Sequence, residues 1–284
     1  MAPPFLTICA VVIVTLLPVR AEEETLESLP GAETFVYRDG KPAAMRLFVV
    51  KPKGWRANEQ RSAFVWFFGG GWLRGNPQQS IGWARWAAEL GMVGIAPDYR
   101  TRDRFKTSPR DSVADARASV RWLQDHAPEL GIDPARIVVG GYSAGGHVAM
   151  WTGISVVPPG SDEAETPGQK PIGLILVSAV TDTSMLGSYR PTPFGGEAEA
   201  LSPIHQLDPK MPPVLTFHGD GDELVPHSQA VALDKKLRGA GGVSEFVTVP
   251  GGSHGFLGQP KWRDEMKAAM EKFLRKIRAL PAES

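Results

Sequence analysis

Ile137-Val138-Val139-Gly140-Gly141-Tyr142-Ser143-Ala144-Gly145 is the stretch that decides the fold. Its three β-branched apolar residues predict a strand buried on both faces, and residues 144–151 have the composition of a helix. A serine therefore stands at the turn between them. Gly141-Tyr142-Ser143-Ala144-Gly145 matches G-x-S-x-G in the strand-turn-helix setting which that motif requires. The glycines have a mechanical purpose. A serine on a sharp elbow needs neighbours without side chains, both to tolerate the turn and to let the helix approach the strand. A serine in an ordinary glycine-rich turn is the plainer reading of those letters, and the flanking strand and helix argue against it.

Upstream, residues 34–50 hold two β-rich runs around Asp39-Gly40, a dipeptide suited to the positive φ angles of a tight hairpin. The apolar runs Ala63 to Phe68 and Met92 to Ala96 predict central strands, with a helix at Ile81 to Leu90 between them. Ser108-Pro109-Arg110-Asp111 reads as a capped helix start, and Val113, Ala116, Val120 and Leu123 follow at helical spacing until a stop near Gly131. Downstream come strands at 174–178, 214–217 and 245–249, a helix at 229–237, and a closing helix marked by Met266, Met270, Phe273 and Ile277. Strands alternating with helices predict an α/β fold, with a mostly parallel sheet covered on both faces and right-handed crossovers. Sites in such sheets form at the carboxyl ends of strands.

A serine hydroxyl is a weak nucleophile until a base removes its proton, so the motif calls for a histidine after the last strand. His254 meets that demand in Pro250-Gly251-Gly252-Ser253-His254-Gly255-Phe256. The other histidines suit the role less well: His147 lies one helical turn after Ser143 and should pack, His126 belongs to an earlier helix, and His205 and His227 lie in connecting segments. His218 ends a strand, where it should shape the following turn. The stretch His218-Gly219-Asp220-Gly221-Asp222-Glu223-Leu224-Val225-Pro226 offers three carboxylates to orient the imidazole. Asp222 is the choice among them, with Asp220 and Glu223 as alternatives. The order Ser143, Asp222, His254 is the order of the α/β-hydrolases.

A tetrahedral intermediate needs preorganised N–H donors for its oxyanion. The Ala144 N–H, directly after the nucleophile, supplies one. Phe67-Phe68-Gly69-Gly70-Gly71-Trp72, following a strand, offers bare backbone for others.

Of the 284 residues, 42% are hydrophobic and 22% charged, an ordinary globular balance with enough chain for a substantial core. Phe5 to Leu17 is an apolar run too short to span a bilayer comfortably, and Val19-Arg20-Ala21 suits a signal peptidase. Residues 1–21 are thus expected to be a signal peptide cleaved after Ala21, and 22–284 a single catalytic domain of a secreted or periplasmic protein. An uncleaved anchor is the alternative, since only the α-amino charge precedes the apolar run. Cys9, the sole cysteine, falls inside that run, which leaves the mature chain without a disulfide or a thiolate metal site. With 31 basic and 31 acidic residues there is no electrostatic case for nucleic acid or an anionic membrane. No metal or organic cofactor is called for.

Together these residues resemble the hormone-sensitive-lipase-like and bacterial feruloyl-esterase or acetyl-xylan-esterase-like branches of the α/β-hydrolase superfamily, from about residue 34 to 278. The matching marks are Gly69-Gly70-Gly71-Trp72, Asp98-Tyr99-Arg100, the elbow at 141–145, Ser202-Pro203-Ile204, the stretch from His218 to Pro226, and Ser253-His254-Gly255. The resemblance implies an eight-stranded α/β-hydrolase sheet opened by an antiparallel hairpin, and a serine carboxylesterase acting through an acyl-enzyme. By the same likeness Gly70 and Gly71 join Ala144 as oxyanion donors, and Asp98 and Arg100 are structural. One departure stands out. The family pattern has histidine before the three glycines, and here Phe68 takes its place, which leaves the pose of that loop open.

Residues 181–211, where related enzymes carry a cap, are short and rich in Pro and Gly, so the cap is expected to be short or absent and the pocket suited to small acyl groups. Acetyl or similar groups on a polysaccharide are then the expected substrates, or a small-molecule ester. The eight tryptophans belong mainly to the core on this reading. An exopeptidase of the prolyl-oligopeptidase kind shares the triad order, although its usual propeller domain has no room here. A non-catalytic binding protein on the hydrolase fold is the other alternative, and such proteins commonly lack a triad member.

Overall fold

The computed structural model describes residues 25–40, 43–158, 168–188 and 192–280. The expected signal peptide, its cleavage point and Cys9 lie outside the described residues. Eight strands form one sheet: β1 (Glu33–Arg38), β2 (Met45–Val50), β3 (Arg61–Phe67), β4 (Val93–Pro97), β5 (Ile132–Tyr142), β6 (Gly173–Val177), β7 (Val214–Gly219) and β8 (Ser244–Val249), in the order β1-β2-β4-β3-β5-β6-β7-β8. β1 and β2 pair antiparallel, as does β2 with β4, and every pair from β4 to β8 is parallel. This is the expected α/β-hydrolase sheet. The opening hairpin differs in its turn. Six residues rather than two separate β1 from β2, and the ladder has already shifted register between Val36 and Arg38.

Seven helices accompany the described strands: α1 (Ile81–Glu89), α2 (Arg102–Phe105), α3 (Pro109–Asp125), α4 (Ala127–Leu130), α5 (Ala144–Thr152), α6 (His227–Gly239) and α7 (Pro260–Lys276). Strand alternation sorts the core into two faces. Val65, Phe67, Ile137 and Val139 pack with α3, α5 and α6, while Phe64, Trp66, Val138 and Ile175 pack with α1 and α7. Ser108 starts α3 as foreseen, its N–H donating to Asp111 Oδ2 at 2.8 Å. The helical run to Gly131 is broken at His126, because Pro128 cannot continue the ladder and a separate turn, α4, restarts there before Gly131 ends it at φ 62°. The tryptophans are core residues: five are buried and Trp55, Trp122 and Trp262 are half-buried against the same clusters. No α-helix covers residues 181–211 among those described, only 3₁₀ turns at Met185–Gly187, Thr192–Glu197 and Pro203–His205. No helix among the described residues is long and apolar enough to cross a membrane.

Candidate active site

β5 ends at Tyr142, and Ser143 takes φ 56° and ψ −121°, a left-handed conformation that costs a side-chain-bearing residue on the order of 1–3 kcal/mol. Its surroundings impose that conformation. The Ser143 N–H donates to Val177 O at 2.9 Å, and its carbonyl accepts from His147 N at 3.2 Å. A Cβ on Gly145 would stand 2.3 Å from the Phe67 and Phe68 carbonyl oxygens, so only glycine lets α5 approach β3 this closely. Ala144 is the first helical residue of α5 and is fully buried.

The structure brings Ser143, His254 and Asp222 into one line. Ser143 Oγ lies 3.0 Å from His254 Nε2, and His254 Nδ1 lies 2.8 Å from Asp222 Oδ2. Asp222 Oδ1 accepts from the N–H groups of Leu224 (2.9 Å) and Val225 (2.8 Å), which fixes the carboxylate plane. Burial alone would raise this carboxyl, but hydrogen bonds from His218, His254 and Val225 outweigh it and hold Asp222 well below the ordinary carboxylate range. The alternatives serve elsewhere. Asp220 Oδ1 accepts from Gly251 N at 2.6 Å, and Glu223 Oε2 accepts from His254 N at 3.3 Å.

Gly70 and Gly71 face the same cavity as Ser143, His254 and Val225, a space of about 960 Å³. Gly70 has φ 137°, and a Cβ there would stand 2.0 Å from Arg74 O, so the turn requires glycine. Phe68 does not reach the site. It is buried and stacks on Tyr99, ring centroids 4.1 Å apart, while the Tyr99 hydroxyl donates to Phe68 O at 2.8 Å. At the far end of the loop, Arg104 donates to Gly75 O (3.1 Å) and grips Asp98 through bonds of 2.8 and 2.6 Å. Asp98 is thus structural, as is Arg100, which pairs with the buried Asp115 at 2.7 Å.

Between these ends, Trp72 Nε1 donates to His147 Nδ1 at 3.2 Å, and His147 Nε2 donates to Leu201 O at 2.8 Å. Each nitrogen has one role only if the ring is neutral, and burial pushes His147 down to about 4.

Four residues at the site were not assigned to it by sequence. Trp72 and His147 hold the glycine loop, and nothing in their spacing signals a pair 75 residues apart. Tyr142, inside the motif, donates its hydroxyl to His254 O at 2.9 Å; burial and the Asp222 and Glu223 charges push that phenol up to about 12, so it stays a donor. His218 Nε2 shapes the turn through Val225 O (2.9 Å) as expected, but also lies 3.2 Å from Asp222 Oδ2. Its position four residues before Asp222 was the available signal. Among the described residues no cluster of three or more His, Cys, Asp or Glu is placed to hold a metal.

Comparison with known proteins shows the chain to be similar to esterases. The BD-FAE family model matches residues 50–184 and 177–237. A thermophilic esterase from the planctomycete Thermogutta terrifontis, solved with propionate bound, superposes with a TM-score of 0.82 at 34% identity, covering 90% of this chain and 97% of that one. Esterase LipQ of Mycobacterium tuberculosis is 27% identical over 66% of this chain and 48% of its own length. The ethyl acetate hydrolase of Pseudomonas putida is 27% identical over 78% of this chain and 73% of its own length. The chain spans about half the length of LipQ and of several other curated relatives. The chain belongs to the BD-FAE family, within the α/β-hydrolase serine esterases.

Proposed function

We propose that this protein is a serine carboxylesterase that hydrolyses short-chain acyl esters, with Ser143 as nucleophile, His254 as base, Asp222 as its partner, and the N–H groups of Gly70, Gly71 and Ala144 as oxyanion donors. The observation that carries this reading is the hydrogen-bonded line from Asp222 through His254 to Ser143 Oγ, at 2.8 and 3.0 Å, at the edge of an open cavity. Ser143 Oγ attacks the carbonyl carbon as its proton passes to His254 Nε2, and the ionised Asp222 stabilises the imidazolium. The carbonyl oxygen takes up negative charge against the backbone donors. When the C–O bond to the alcohol breaks, His254 returns the proton to the departing oxygen. Water then repeats the attack on the acyl-enzyme with His254 again as base, releasing the acid and restoring the serine hydroxyl.

The preference for small acyl groups is supported by the absence of a helical cap among the described residues 181–211. Its relatives point the same way: the Thermogutta esterase has been solved with propionate and with butyrate bound, and the Pseudomonas relative is an ethyl acetate hydrolase. Export rests on the sequence of residues 1–21, and a polysaccharide as carrier of the acyl group rests on export and near-neutral charge. A series of p-nitrophenyl esters from acetate to decanoate is expected to give its highest kcat/KM between acetate and butyrate. Ser143→Ala should lower kcat by about 10⁴-fold or more. Near-full activity of that variant would overturn the assignment, and a maximum at the long chains would overturn the short-acyl reading.

A further inference from the structure

The cavity at Ser143 continues past His254. A second cavity of about 580 Å³ shares the walls formed by Gln79 and Tyr142 and runs along the first turns of α7. We propose that this second cavity binds the alcohol half of the substrate, and that this half is a carboxylate-bearing sugar unit of an acidic glycan. The proposal rests on the esterase reading above and adds its substrate class.

Direction comes from the chemistry. The proton taken from Ser143 must reach the leaving oxygen, so that oxygen sits within hydrogen-bond reach of His254 Nε2 and the alcohol half runs out past the imidazole. The chain after His254 passes through Gly255, Leu257 and Gly258, all lining the second cavity. Tyr142 joins the two spaces, its ring 5.2 Å from the His254 ring and its hydroxyl bonded to His254 O.

Space comes from three glycines of the lining. Gly82, Gly255 and Gly258 all avoid positive φ, and a Cβ on any of them would meet no atom within 4 Å. Neither backbone conformation nor packing calls for glycine at these positions, and glycine is a poor choice for the first turn of a helix such as α1, where Gly82 lies. What their bareness does achieve is an open floor for a ligand.

Chemical class comes from the remaining lining. Gln79 and Asp264 offer amide and carboxylate groups to hydroxyls, and the Tyr142 ring offers an aromatic wall. Arg263 and Lys267 stand one turn apart on α7 and outnumber Asp264, which favours an anionic ligand.

The test compares kcat/KM on ethyl acetate, an acetylated neutral xylo-oligosaccharide and an acetylated oligogalacturonide. The acidic oligosaccharide should exceed the neutral one by about 5-fold at low salt, as two exposed ion pairs allow, and the excess should vanish at high salt. Gly82→Leu should lower both oligosaccharide values about 10-fold through lost space, with no loss of Tm and with turnover of ethyl acetate, whose alcohol half is too short to reach the second cavity, unchanged. The double variant Arg263→Glu/Lys267→Glu should turn the acidic preference into discrimination against the acidic substrate, lowering its kcat/KM far more than that of the neutral one. Equal values for the two oligosaccharides in the parent at low salt, or a Gly82→Leu variant that treats them as the parent does, would overturn the proposal. Absence of ethyl acetate turnover in the parent itself would instead overturn the esterase reading beneath it.

Discussion

The loop after β3 and the loops after β7 and β8 all bring groups to Ser143, but they are held by different contacts. In the loops carrying Asp222 and His254 the support is mainly short turns and bonds between the two loops, joined by the Tyr142 hydroxyl on His254 O. Asp222 accepts N–H groups two and three residues ahead, Gly251 N donates to Asp220, and His254 N donates to Glu223. In the glycine loop the support is buried side chains from distant elements: Tyr99 on Phe68 O, His147 on Trp72, Arg104 on Gly75 O. The reason is physical. A carboxylate or imidazole can be aimed through its own hydrogen bonds, whereas a bare backbone N–H has no side chain to hold, so packing around it must set its position.

The largest expected effect lies on the first side of that contrast. Asp222→Asn keeps the side chain's size and an oxygen for the turn but removes the charge that supports the imidazolium, and kcat on p-nitrophenyl acetate should fall about 10⁴-fold with little change in Tm. A fall below 10-fold would mean that His254 does not depend on this carboxylate. The next lies on the second side. Trp72→Phe keeps an aromatic ring against Phe194 and removes the donor to His147, so kcat should fall about 10- to 100-fold with KM nearly unchanged, as for a misplaced oxyanion donor. His147→Phe should act alike, and the double variant should be no worse than the poorer single one. Additive losses would break the claim that the two side chains act as one brace.

The smallest effect at neutral pH concerns His147 alone. An unfolded histidine titrates near 6.5, and burial pushes this one down to about 4. Between those values the unfolded chain binds a proton that the folded chain refuses. The contribution is therefore fully present above pH 6.5 and is lost as pH falls towards 4, on the order of 3 kcal/mol in all. Thermal unfolding across that window should show a flatter pH slope for His147→Phe than for the parent; identical slopes would mean that His147 is not held neutral.

The same contrast explains what could be read from the sequence. The elbow, Asp222 and His254 were legible because each follows a strand at a short fixed distance and its residue type states its chemistry. Apolar runs such as Ile137 to Val139, buried on both faces, gave the sheet in the same way. The brace was not legible, since the stack of Phe68 on Tyr99 and the bond from Trp72 to His147 exist only after β3, β4 and β5 have come together. The break at His126 was hidden by apolar spacing that runs on towards Gly131 through Ala127 and Leu130, with only Pro128 to mark it. His218 was read as a turn former because its contact with Asp222 depends on how the turn folds back.

The most direct measurement is labelling of the folded protein with a fluorophosphonate, followed by peptide mass mapping. A reactive serine at the β5–α5 elbow should give one label per chain, on the peptide containing Ser143, with none in Ser143→Ala and slower labelling in Asp222→Asn. A folded parent that stays unlabelled, or a label on any other residue, would contradict it.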